Sequence, residues 1–195
     1  MREGTVHRTT RETDIKITLV LDGQGKMTGV TGLGFFDHML ELFAKHSACD
    51  LQLTAKGDIH VDAHHLVEDL GICLGQCLKN VLGEGIGINR YGYSYIPMDE
   101  ALARVVVDIS GRPFLKYNVQ GLKEKVGNFD SELVEEFFRA LVNHGRLTVH
   151  VDVLYGTNTH HMIEAVFKAF ARSLKQAYTL SSGQLSVPSS KGKLD

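Results

Sequence analysis

The chain writes A-H-H-L-V-E-D at residues 63–69 and T-H-H-M-I-E-A at 159–165, each time at the head of a long apolar-periodic run. A motif that returns whole, with its helical context, marks a duplicated unit, and a duplicated unit restricts the fold to two similar halves packed together. His64-His65-x-x-Glu68 lies over His160-His161-x-x-Glu164 at a spacing of 96 residues. Upstream, F-F-D-H-M-L-E-L-F-A-K-H (35–46) matches V-E-E-F-F-R-A-L-V-N-H (134–144) in character at a shift of 98. That shift puts His46 on His144 and His38 on Glu136. The small difference between the two shifts predicts a longer loop in the first copy.

Each half carries the same grammar. In the first, Ile15, Ile17, Leu19 and Leu21 alternate with polar residues, a half-buried strand that stops at Asp22-Gly23. A helix is predicted over 36–46, a strand over 49–54, and a long helix over 64–82 with Leu66, Leu70, Cys73, Cys77 and Val81 on one stripe and Gly83 as its stop. In the second half, strands are predicted over 102–109 and 114–119, separated by Ser110-Gly111-Arg112-Pro113. A helix over 131–144, a strand over 146–153 and a helix over 160–178 follow. This order predicts an α+β fold of two tandem similar halves, 1–92 and 93–182, each a mixed or antiparallel sheet with helices packed on one face, in a single compact unit. A small, polar tail, 183–195, follows.

Composition narrows the function classes. With 21 Lys and Arg against 23 Asp and Glu, the chain has no basic excess for nucleic acid and no cationic amphipathic segment for a membrane surface. Its apolar runs fall far short of the roughly 20 residues a bilayer span needs, and Met1-Arg2-Glu3 leads into polar sequence without a signal peptide. The three cysteines are an odd set without disulfide-framework spacing, which fits a reducing cytoplasm. Cys73 and Cys77, one helical turn apart, could face a metal but read better as small core residues. What stands out is 10 histidines, several clustered.

On a helix, residues i and i+4 share a face, so His64 stacks on Glu68 and His160 on Glu164. Neighbouring histidines point about 100° apart, so each H-H pair suits two metals better than one. Imidazole and carboxylate without thiolate suits Mn, Fe, Zn or Ni. The order is not H-E-x-x-H, so the usual metalloprotease arrangement is absent. One such pattern would pass as a polar helix start; two, inside a repeat and with His38, His46 and His144 on companion helices, point to metal.

Together, G-F-F-D-H-M, H-H-L-V-E-D, G-T-N-T-H-H-M-I-E-A-x-F-K-A-F-A-R and the V-P-S-S-K-G tail resemble imidazoleglycerol-phosphate dehydratase of histidine biosynthesis, and the likeness runs from R-T-T-R-E-T to the tail. The resemblance implies two Mn²⁺ ions per active site, a repeated α+β fold, and a homo-oligomer of 24 subunits with active sites at subunit contacts. Its reaction removes water from imidazole glycerol phosphate to give imidazole acetol phosphate. Its metal ligands fall on His38, His64, His65, Glu68, His160, His161 and Glu164. The remaining ligand position, usually histidine, is Glu136 here; carboxylate is a competent ligand, and His144 or His150 would substitute if that helix is shifted. Glu12 matches the family's mobile acid near the substrate and His46 a substrate-side histidine. Arg90, Arg112, Lys168, Ser189 and Lys191 match its phosphate and substrate contacts, so the tail is expected to close on the phosphate. Asp99 and Glu100 carry a weaker functional expectation.

The implied substrate is a poor carbon acid, because no carbonyl flanks the C–H that must be broken. Two Lewis-acidic metals at the ring nitrogens answer that difficulty, with Glu12 or the ligand-site carboxylates Glu68 and Glu164 moving protons. A metal-storage protein would explain the histidines but not the Arg, Lys and Ser set. A metallohydrolase would need an open metal position and a different ligand order.

Overall fold

The computed structural model describes residues 1–181, 183 and 186–195. The first half runs β1 (Glu3–Thr9), β2 (Thr13–Val20), β3 (Met27–Thr28), α1 (Gly34–Ser47), β4 (Asp50–Gly57) and α2 (His64–Leu82). The second runs β5 (Tyr91–Met98), β6 (Ala101–Asp108), β7 (Phe114–Asn118), a small hairpin of β8 (Lys125–Val126) and β9 (Phe129–Asp130), α3 (Leu133–Gly145), β10 (Thr148–Tyr155) and α4 (Thr159–Tyr178). Without that hairpin the two orders are identical, and so are the sheets: β1-β2-β4-β3 and β5-β6-β10-β7. In each, the first three strands are antiparallel and the last pairs parallel to its neighbour. The fold is therefore α+β and duplicated.

Strand alternation does what the sequence predicts. Ile15, Ile17, Leu19 and Leu21 point inward, and Ile17 and Leu19 sit opposite Leu53 and Leu51. Val105 and Val107 repeat this opposite Val151 and Val149. The inner faces of both sheets and the four helices share one core. Helix α2 lies on β1 and β2, and α4 on β5 and β6, while the helices pair across the halves, α1 with α4 and α2 with α3. The loop between β4 and α2 is longer than that between β10 and α4, as the unequal shifts predict.

Strands β1 and β5, both at sheet edges, escape the sequence reading, as does the two-residue β3. E-G-T-V-H-R-T alternates only between exposed and half-buried, and Y-G-Y-S-Y-I-P-M holds a glycine and a proline. Because β5 opens at Tyr91, the second half begins two residues before a 92/93 division. Gly92 is required there: a Cβ would lie 1.9 Å from the Ser173 carbonyl oxygen, so α4 can seat on β5 only at this residue.

The two helix pairs meet by different means. Between α2 and α3 the backbones nearly touch, since a Cβ at Gly71 would stand 2.6 Å from the Phe137 carbonyl oxygen and one at Gly75 2.5 Å from that of Leu141. Between α1 and α4, Phe36 and Phe43 pack on Phe167 and Phe170 instead. Gly71→Ala should lower stability by about 1–3 kcal/mol, although alanine is the better helix former by about 1 kcal/mol. Thermal and denaturant midpoints of the variant check this; an unchanged or raised midpoint would show that the helices can separate without cost.

Candidate metal centre and substrate site

Helix α4 begins under tight control. The Asn158 side chain accepts hydrogen bonds from the backbone N–H groups of His160 (2.9 Å) and His161 (3.4 Å). That cap fixes the azimuth of the histidine pair. His160 Nε2 then sits 3.1 Å from Glu164 Oε2, one turn further on. Across the α1–α4 contact, His38 Nε2 stands 3.4 Å from the same oxygen. His38, His160 and Glu164 offer three donor atoms within 4.8 Å of one another. Two imidazoles and a carboxylate, with no thiolate, fit a hard or borderline divalent ion such as manganese. The cysteines stay out of this chemistry: all three are buried and free, and burial pushes the Cys73 and Cys77 thiols up to about 11 and about 12.

Lys168 Nζ lies 2.5 Å from the other Glu164 oxygen. Burial alone would raise the Glu164 carboxyl, but Lys168, His160 and His38 hold it below the ordinary carboxylate range. The carboxylate thus stays ionised, as a ligand must.

The second histidine of each pair faces elsewhere. His161 Nδ1 is 2.7 Å from Glu100 Oε2, and its Nε2 is 3.8 Å from Asp99 Oδ2. His65 repeats this, with Nδ1 3.1 Å from Asp58 Oδ2 and Nε2 3.9 Å from Glu12 Oε1. A carboxylate on Nδ1 sets the tautomer and leaves Nε2 as the ligand atom, the usual arrangement behind a metal-binding histidine. Glu100 also accepts from the backbone N–H groups of Thr157 and Asn158, and with His161 these hold its carboxyl down at about 2. Asp58 had no motif to reveal it; only the loop before α2 brings it to His65.

His64 Nε2 is 3.9 Å from Glu68 Oε2. By the repeat, Glu136 stands to His64 and Glu68 as His38 stands to His160 and Glu164. Among the described residues these three do not close into a comparable trio, and Glu136 Oε1 instead lies 3.6 Å from Arg139 Nε. Helix α3 is not shifted: His144 lies in its last turn and His150 on the exposed face of β10, and neither joins the trio.

The remaining residues divide between two regions. A cleft of about 670 Å³ runs along α4 beyond Glu164, lined by His46, Lys168, Arg172 and Lys175. Arg172 and Lys175 were missing from the sequence reading, although they follow Lys168 at helical spacing. Arg90 and Arg112 hold the tail: Arg90 Nη1 donates to the Pro188 carbonyl (2.9 Å) and Arg112 Nη1 to that of Asp195 (2.9 Å). Ser189 and Lys191 sit in that same tail, where Ser189 Oγ accepts from the Lys191 N–H.

The imidazoleglycerol-phosphate dehydratase family model matches residues 31–174. The chain belongs to that family. Dehydratases of that name from Exiguobacterium sp. and Oceanobacillus iheyensis are 55% and 52% identical to it, each over all of both chains. The crystal structure of the Staphylococcus aureus dehydratase superposes with a TM-score of 0.84 at 50% identity, over 92% of this chain and 99% of that one. The Pyrococcus furiosus enzyme in complex with (S)-C348 superposes at 0.82 and 37% identity, over 96% and 99%. This dehydratase is a hydro-lyase, and among its described residues no helix is long and apolar enough to cross a membrane.

Two histidines of the dehydratase should titrate on opposite sides of the ordinary value of about 6.5. The hydrogen bond to Glu100 raises His161, whereas burial, followed by Lys168 and Arg172, lowers His46. The stability His161 contributes is full below its ordinary pKa and fades as pH rises through the raised one. His46 works in the opposite sense, since the unfolded chain takes its proton first and stability falls as pH drops. NMR titration of the metal-free protein should separate the two, and Glu100→Gln should return His161 toward 6.5; a shared midpoint would remove this electrostatic account.

Proposed function

We propose that this dehydratase removes water from imidazole glycerol phosphate to give imidazole acetol phosphate in histidine biosynthesis, using two manganese ions per active site. The observation that carries the reading is the His38–His160–Glu164 trio, a ready N,N,O donor set in a chain of this family. By the repeat, His64, Glu68 and Glu136 would supply the corresponding donors of the other half, and His65 and His161 would add one imidazole each. Bound manganese would supply Lewis acidity at the two nitrogens of the substrate ring.

The chain's own groups account for the rest. Glu12 is half-exposed, and no hydrogen bond holds its carboxylate among the described residues, which leaves it free to take the C–H proton and return one to the departing hydroxyl. His46 and Lys168 line the cleft beside the trio, where they would orient the glycerol hydroxyls and phosphate. The forked guanidiniums of Arg90 and Arg112, with Ser189 and Lys191, suit phosphate oxygens.

One chain does not bring all of these to one place. Arg90 N–H bonds to the Ala177 carbonyl at the far end of α4, roughly 20 Å along the helix from Glu164 at about 1.5 Å per residue. That exceeds the reach of one ring, three carbons and a phosphate. The gap supports active sites assembled at contacts between subunits of a 24-subunit homo-oligomer. Three buried free thiols support a reducing cytoplasm as its setting.

Purified protein with Mn²⁺ should form imidazole acetol phosphate from its phosphorylated imidazole substrate, detected by ultraviolet absorbance or chromatography; full metal loading without product would favour metal storage. Glu12→Gln should keep the metal content and lower turnover by roughly 10²–10⁴-fold. Chelation should dissociate the assembly in sedimentation, and a large particle that persists without metal would argue against metals at subunit contacts.

A further inference from the structure

Two carboxylates are buried among the described residues, Glu164 and Asp69. Glu164 belongs to the metal trio. Asp69 follows Glu68 on α2 but faces the core, 7% exposed, in a stripe that is otherwise apolar or glycine. A buried charge is costly unless paired, so its presence calls for a reason. Its partners supply one. Arg8 Nε, at the end of β1, donates to Asp69 Oδ1 at 2.9 Å, and the buried Thr13 Oγ1, at the start of β2, donates to Oδ2 at 2.5 Å. Between Arg8 and Thr13 lies the turn that carries Glu12.

That turn is organised from the same point. Thr10 Oγ1 lies 3.2 Å from Thr13 Oγ1 and accepts from the backbone N–H groups of Glu12 (3.1 Å) and Thr13 (3.0 Å). The Glu12 carbonyl accepts from the Asp58 N–H at 3.1 Å, and Asp58 in turn holds His65. The backbone of Glu12 is thus held from both sides while its carboxylate is left free toward His65 Nε2.

The duplication provides an internal control. The registers of β2 with β4 and of β6 with β10 put Thr13 over Ala101, and the helix alignment puts Asp69 over Ala165. Both alanines are buried, so the second half fills the same place with apolar side chains. Its turn needs no such clamp, because the Glu100 carboxylate itself ties it to the start of α4. Only the half whose turn acid is left unbonded carries the buried pair.

We propose that Asp69, with Thr13 and Arg8, is a positioning residue for Glu12, holding the β1–β2 turn so that this carboxylate stays in reach of the reacting atoms. The inference rests on the proton-transfer role of Glu12 given above. Thr13→Val keeps the shape and removes the hydroxyl; Asp69→Asn removes the charge. Displacing Glu12 by about an ångström should lower kcat by roughly 10–100-fold, with KM within about twofold and metal content unchanged, and Thr13→Ser should restore kcat. In the Glu12→Gln background, Thr13→Val should change the residual turnover by less than about twofold.

The outcomes separate. Full activity of Glu12→Gln removes the role of Glu12, and the positioning with it. An impaired Glu12→Gln beside wild-type kcat in Thr13→Val overturns the positioning alone. An equal loss from Thr13→Val in both backgrounds, or no rescue by serine, also overturns it, as a general structural effect. Should Asp69→Asn fail to fold, the three threonine measurements decide.

Discussion

Helix α1 of the first half packs on α4 of the second, and α2 on α3, so neither half closes its own core. Each sheet buries one face under helices, and those helices bury their remaining apolar surface on the helices of the other half. Burial of that surface, non-directional and proportional to area, holds the duplicated units together. The same contact brings together the three residues that could hold a metal, because His38 comes from the first half and His160 and Glu164 from the second.

Duplication has kept the topology and let the chemistry diverge. The strand order is identical in the two sheets, and the helices α1 and α3 both end on a left-handed non-glycine residue, Ala48 and Arg146. Yet the start of α4 is capped by Asn158, which accepts from both His160 and His161, while at the start of α2 the corresponding Asp62 accepts from His64. Gly71 and Gly75 answer to Phe167 and Ala171, so one helix pair is close and the other is spaced by rings. His38 answers to Glu136, and among the described residues only the His38 side closes into a compact trio within one chain.

Much of the architecture was legible in the sequence because burial imposes a period. Alternation in β2 and β6 and the stripes of α2 and α4 follow from having one wet and one dry face, and the reading of those elements agrees with the structure to within a few residues. Edge strands β1 and β5 lack that asymmetry, and the β8–β9 hairpin is too short to show any period.

By itself, the sequence determined the duplication, the inward pattern of each strand and helix, and the pairing of His64 with Glu68 and of His160 with Glu164, since all of these are set by spacing along one element. Tertiary structure alone decided which histidine meets which carboxylate across elements: His38 with Glu164, His65 with Asp58, His161 with Glu100, and Thr13 and Arg8 with Asp69. Those partners lie between 7 and 126 residues apart, and hydrogen bonds leave no periodic trace along a chain. They form only where packing of the helix layer has already brought the ends of the elements together.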